Sequence, residues 1–177
     1  MVIVVVGALL DGTRPARIVE SVAGRAAALG SSVEVVGVVP GDATGDRRLL
    51  RLAARGIGHA AVLRSIAAAL DPADLELALR YLPDVAAIVL VEPAGDLIEP
   101  AAAAAAWSGA GLVVVTDGPA DAADAAPAAL VLAPPRADPD EAFAGVVATL
   151  AQRLEAGVNS AEAWRATLDG LGIAAVG

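Results

Sequence analysis

Six short aliphatic runs, at residues 2–6, 33–39, 60–63, 87–91, 112–115 and 128–132, punctuate this chain, and none of them alternates apolar with polar residues. A strand that is apolar on both sides must be covered on both sides, the condition of a parallel sheet sandwiched between helices. The intervening segments supply those helices. In residues 15–29, Ile18, Val19, Val22, Ala23, Ala26 and Leu29 recur at helical spacing, with Pro15 suited to a first turn and Gly30 to the position after the last. Similar signals bound helices at 46–55, at 72–81 with Asp71 as N-cap, at 100–107, at 140–154, and at 161–168 with Asn159 or Ser160 as cap. Residues 118–127 read as an Ala/Asp-rich loop or short helix. Strand and helix therefore alternate, and the expected architecture is a three-layer α/β/α sandwich around a mostly parallel, doubly wound sheet. At 177 residues, one domain spanning 1–177 is expected.

Composition narrows the function classes. Hydrophobic residues make up 57% of the chain and aromatics only 2%, so it has ample surface to bury and builds its core from small aliphatic side chains. The formal net charge is −9, and all 12 basic residues are arginine. An acidic chain of this kind is a poor match for a nucleic-acid backbone, so no nucleic-acid partner is expected. There is no cysteine and a single histidine, His59, which excludes thiol chemistry and the usual soft metal sites. Residues 2–6 follow Met1 without a basic leader and are soon followed by Asp11, so a cytoplasmic location is expected. The longest charge-free stretch, between Glu99 and Asp117, is broken by Pro100, Gly109 and Gly111, and falls short of the roughly 20 residues a spanning helix needs. No membrane partner is expected.

In open α/β sheets ligands sit beyond the carboxyl ends of the strands. The residues just past the expected strands are mostly acidic: Asp11, Asp42, Glu92 and Asp117, with Arg64 after the third. Converging carboxylates could bind sugar hydroxyls or a hard cation such as Mg²⁺, whereas singly each reads as a turn former. Residues 6–12 contain neither a G-x-G-x-x-G fingerprint nor a phosphate-loop lysine. His59 reads as structural, and Tyr81, Trp107, Phe143 and Trp164 as core or interface residues of helices.

The sequence Gly24-Arg25-Ala26-Ala27-Ala28-Leu29-Gly30, the strand Val33 to Val39 followed by Pro40-Gly41-Asp42-Ala43-Thr44-Gly45, and Leu49 through Gly56-Ile57 together resemble the PfkB/ribokinase family of sugar and nucleoside kinases. That family shows the same order of helix ending in Leu-Gly, strand, Gly-Asp-Asp-x-x-Gly and helix. Glu141-Ala142-Phe143-Ala144-Gly145 is similar to its Asp-Ala-Phe-x-Gly segment near the other end, and Ala161-Glu162-Ala163 falls in the helices that follow. The resemblance implies a short, lid-less ribokinase-like fold, a sugar- or nucleoside-like ligand, and ATP with Mg²⁺ only if phosphoryl transfer is retained. It places substrate binding on Asp11, Ser21 and Asp42 and the catalytic base on Glu141.

Departures from the family pattern are as informative. The family's Gly-Gly-x-x-x-Asn falls on Ala16, Arg17 and Ser21, and there is no room between Asp11 and the first helix, or after Arg64, for the lid insertions. Its Gly-Ala-Gly-Asp, whose bare amides cradle a phosphate at a helix N-terminus, falls on Asp138-Pro139-Asp140-Glu141. With Asp138 as N-cap, Pro139 in the first turn and Glu141 three residues on, a capping-box-like start is expected, and its carboxylates would repel a triphosphate. Asn159 is the chain's one asparagine, so the family's metal-assisting Asn-x-x-Glu is also missing. Positioning and charge neutralisation supply nearly all catalysis of phosphoryl transfer. The favoured expectation is thus a binding or interaction module without phosphotransferase activity. The alternatives are a minimal ATP-dependent kinase with Glu141 as base, and a self-associating protein, a homodimer in the simplest case, that uses its alanine-rich helices.

Overall fold

The computed structural model describes residues 1–10, 12–65, 69–138 and 140–170. Six strands, β1 (Val2–Ala8), β2 (Val33–Pro40), β3 (Val62–Ser65), β4 (Val85–Val91), β5 (Gly111–Val115) and β6 (Leu130–Leu132), form one sheet in the order β3-β2-β1-β4-β5-β6. Every pairing is parallel. The chain runs outward from β1 to β3 and then returns to build β4, β5 and β6 on the opposite side, so the reversal point lies between β1 and β4.

Among the described residues seven α-helices accompany the strands, five in the connections and two after β6: α1 (Arg14–Ala28), α2 (Ala43–Ala54), α3 (Pro72–Tyr81), α4 (Ile98–Ser108), α5 (Pro119–Ala125), α6 (Ala142–Glu155) and α7 (Ser160–Gly170). The two-sided apolar runs explain their placement. Ile3, Val5, Val89, Val91, Val113 and Val115 face a core completed by Val19, Val22 and Ala23 of α1, Leu52 of α2, Val147, Leu150 and Ala151 of α6, and Ala163 of α7. Their neighbours Val4, Val6, Ile88, Leu90, Leu112 and Val114 face a second core with Leu75 and Leu79 of α3, Ala101 and Ala105 of α4, and Ala122 of α5. Because successive strand side chains point to opposite faces, the aliphatic runs of the four inner strands are buried on both faces, each large aliphatic contributing about 1.5–3 kcal/mol, whereas the edge strands β3 and β6 stay partly exposed. This is the three-layer α/β/α sandwich with a doubly wound sheet.

Local signals set the helix starts. Thr13 caps α1 by accepting the Ala16 amide, and Asp71 caps α3 by accepting the Asp74 amide. Asn159 accepts the Glu162 amide at 3.0 Å and donates to the Glu162 carboxylate at 3.1 Å, so it, rather than Ser160, caps α7 reciprocally. Helix α2 begins at Ala43, three residues before the sequence-based expectation, because Asp42 caps it. Gly45 is needed there, since a Cβ would stand 1.9 Å from the Pro40 carbonyl oxygen. The resemblance over Gly41 to Gly45 thus has a packing reason: the helix must enter against the end of β2.

Candidate functional site

Only residues 9–13 separate β1 from α1, so the N-terminus of α1 lies at the carboxyl end of the sheet beside the reversal point. The long link from β6 meets the start of α1 at Pro134 and Pro135 and brings the N-terminus of α6 against the last turn of α1, and α6 also packs over β4, β1 and β5. A cleft of about 470 Å³ opens between α1 and this link with the first turn of α6. Arg14, Arg17, Ile18 and Ser21 of α1 form one wall; Pro134 through Asp138, Glu141, Phe143 and Ala144 form the other.

Arg14 ties the walls together. Its guanidinium donates to both carboxylate oxygens of Asp117 at 3.1 and 2.8 Å, and to the Pro134 and Pro135 carbonyls at 2.8 and 3.0 Å. Asp117, just past β5, in turn donates its amide to the Glu92 carboxylate at 3.4 Å. Glu92 follows β4 and sits in the left-handed region at φ 43°, and its second carboxylate oxygen is buried without a partner among the described residues. One turn short of the far end of α1, Arg25 donates to the Asp140 carbonyl at 3.0 Å and lies 4.0 Å from the Glu141 carboxylate. Two arginines of one helix therefore hold the β6–α6 link.

At the start of α6 the expected capping box does not form. The helix begins at Ala142 rather than at residue 140, and Glu141 precedes it with φ 52°. Asp138 caps from farther back: its two carboxylate oxygens accept the amides of Ala142 at 2.8 Å and Phe143 at 3.0 Å. The physical reason is that the chain turns back through Glu141, with the Glu141 amide on the Asp138 carbonyl at 3.2 Å, so that the Asp138 side chain lands over the helix axis. The first two amides of α6 are thus bonded to a carboxylate.

Of the residues singled out in the sequence, Ser21 and Glu141 meet in this cleft. Asp42 does not line it. Its exposed carboxylate accepts the Thr44 and Gly45 amides at 2.8 and 3.2 Å, and those bonds hold its pKa below the ordinary 3.8. Asp11 lies outside the described residues, as does Pro139. Among the described residues no group of three His, Asp or Glu side chains is placed to hold a metal ion. Arg64 pairs with Asp46, away from the cleft lining. His59 contacts the Ile57 carbonyl at 3.2 Å, in keeping with a structural role.

The residues that sequence reasoning did not single out are Arg14, Arg25 and Arg136, and Arg17 was noted only as an aligned position. A signal was present. Arginines at positions 14 and 17 put two cations at the positive end of a helix dipole, a choice that costs helix stability and calls for a partner elsewhere.

No protein-family model matches the sequence, and no curated protein does. Solved structures match in fold. The protein Sa239 is 12% identical over 92% of this chain and 89% of its own, with a TM-score of 0.66. A PfkB protein from Polaromonas sp. JS666 is 15% identical over 94% and 92%, with a TM-score of 0.58. Phosphofructokinase-2 of Escherichia coli, in its tetrameric inhibited form, is 14% identical over 87% and 82%, also with a TM-score of 0.58. The chain has the ribokinase-like α/β fold. At the carboxyl end of its sheet lies a cleft lined by Arg14, Arg17 and Arg136.

Proposed function

We propose that this protein is a divergent, single-domain member of the PfkB/ribokinase group that binds a small molecule in the α1–α6 cleft without transferring phosphate. One observation carries the reading: Asp138 occupies the Ala142 and Phe143 amides at the helix start where a kinase of this fold would receive the nucleotide's phosphates. A carboxylate seated there both consumes the donors and repels a polyphosphate. Ser21 and Glu141 then serve as polar contacts for the ligand rather than as acceptor-binding residue and base, and Asp42 serves α2. Asp11 remains a proposed ligand contact. The ligand class first to be screened is sugar- or nucleoside-like; ATP and Mg²⁺ enter only if transfer persists. A cytoplasmic location belongs to the same proposal, and no helix among the described residues is long and apolar enough to cross a membrane.

The test is incubation with ATP, Mg²⁺ and a panel of sugars and nucleosides, alongside calorimetry with the same compounds. No ADP release above the protein-free rate, together with saturable binding of a panel member, is the expected outcome. Sustained phosphorylation of any acceptor, lost in Glu141→Gln, would establish the minimal kinase instead.

A second reading concerns self-association. Trp107 and Tyr81 are 83% and 78% exposed, and Trp107 flanks a groove between α3 and α4 whose α4 side carries Ala103 and Ala104. Exposed aromatics beside small residues suit a second copy of the chain. Sedimentation at rising concentration should reveal a dimer that Trp107→Ala dissolves; a monomer at all concentrations removes this reading.

A further inference from the structure

We infer that the cleft takes an organic phosphate monoester, held by the Arg17 and Arg136 guanidiniums; this rests on the cleft being a binding site. Three of the chain's 12 basic residues line this one cleft, in a chain whose net charge is −9. Of the acids beside them, Asp138 sits on the Ala142 and Phe143 amides at the start of α6, where its charge keeps an anion off that helix end, and Glu141 faces Arg25 at 4.0 Å. Arg14 is engaged as well, by Asp117 and the two proline carbonyls. Arg17 and Arg136 have no hydrogen bond or ion pair among the described residues and both are exposed to the cleft. Two always-charged, unpaired forks on facing walls are left to meet an anion.

Their placement is built rather than incidental. Arg17 follows Arg14 by three residues on α1 and so shares its face, while Arg136 directly follows the Pro134-Pro135 pair that Arg14 grips. The same clamp therefore holds the backbone that carries Arg136 against the helix that carries Arg17. Helices α2, α3, α4, α5 and α7 each carry an acidic residue in the first turn, whereas α1 and α6, the two that border the cleft, have none. The positive end of α1 and its unpaired arginine point to the same ligand charge. A phosphate monoester, close to dianionic at neutral pH with a second pKa of about 6, matches two guanidiniums and offers three oxygens for them to share. Ile18, Phe143 and Ala144 supply an apolar wall for the organic part, within a volume of 470 Å³ that suits a small ligand.

The experiment is calorimetry of the full chain with phenyl phosphate, inorganic phosphate and phenol at low ionic strength. Phenyl phosphate is expected to bind at least about ten-fold more tightly than phenol, with Arg17→Gln and Arg136→Gln each weakening it about ten-fold or more. Arg80→Gln, on α3 away from the cleft, is the charge control and should leave the affinity unchanged. Binding should also fall as the pH drops from about 7 to about 5 and the ester takes up a proton. Both arginines are exposed, so the variants retain the fold, and inorganic phosphate competing with phenyl phosphate would support the assignment. Equal binding of phenol, or full affinity in both arginine variants, would overturn it. If phenyl phosphate is ignored while a neutral sugar or nucleoside binds, the anion assignment fails and the binding site stands; if nothing binds, both fail.

Discussion

Helices α3 and α6 both begin under an aspartate, yet they are built differently. Asp71 stands directly before α3 and accepts the amide three residues on. Asp138 stands four residues before α6, and its carboxylate reaches the first two helical amides across a residue held at φ 52°. The first cap is local chemistry, complete within one turn. The second depends on a loop that Arg14 and Arg25 fasten to a helix more than a hundred residues away in sequence. A helix start that is only a boundary needs nothing beyond its neighbours. One that forms the wall of a cleft is held by the tertiary structure.

The largest effect should come from the clamp. Arg14→Ala removes four hydrogen bonds from a charged donor to Asp117, Pro134 and Pro135. Solvent screens the pair with Asp117, which is 66% exposed, to about 1 kcal/mol at most, and the two carbonyl bonds contribute about 1 kcal/mol each, so roughly 2–3 kcal/mol in total is the expected loss. Chemical denaturation should show that loss together with impaired cleft binding; unchanged binding would mean that the loop holds its position unaided. Asp138→Ala and Asp71→Ala come next, each expected to cost about 0.5–2 kcal/mol as cap deletions. They should then part company, because only Asp138→Ala bares amides in the cleft and so should raise the affinity for ATP. If the two variants behave alike towards nucleotide, Asp138 is a cap and nothing more.

Glu141→Gly should act in the opposite direction, stabilising by about 1 kcal/mol because a left-handed conformation is unfavourable for any residue with a Cβ. A lower melting temperature would show that the Arg25 contact outweighs the strain. The smallest effects are those of pH. Asp42, held below 3.8 by the Gly45 and Thr44 amides, contributes stability that is complete above that value and is lost as the pH falls through its folded pKa. Glu34 has the reverse sign: burial raises its pKa above 4.5, against the pull of His59, so its charge disfavours the fold at neutral pH. Glu34→Gln should therefore stabilise at neutral pH, with the gain fading as the pH falls towards 4.5, whereas Asp42→Asn should destabilise and lose its effect below 3.8. Acid-unfolding curves of the two variants should cross over accordingly.

Much of the fold was legible because its signals are short-range. The 72–81 helix was read to the residue, since Asp71 and Pro72 mark its start within one turn. Strand positions followed from aliphatic runs, which in the four inner strands are covered on both sides and at the edges β3 and β6 only in part. Boundaries slipped where cap geometry or close backbone packing decided them. Helix α2 starts earlier because Gly45 can pack against the Pro40 carbonyl, and α6 starts later because Asp138 reaches over Glu141. Of the cleft's lining, Ser21 and Glu141 are positions the family resemblance points to, while Arg17 enters only as a departure from the family pattern and Arg136 not at all. Nothing local marks Arg136, whose role comes from the residue that grips the two prolines before it.

By itself, then, the sequence determined the layers. Two-faced aliphatic strands must be buried on both sides, and capped amphipathic helices are what remains to bury them. Which arginines face each other across the carboxyl end of the sheet, and which are spent on carbonyls and carboxylates, was decided only in three dimensions. The physical reason is range: burial and capping act within a few residues, whereas the pairing of a guanidinium is settled by whatever acceptors the folded chain brings within hydrogen-bonding distance.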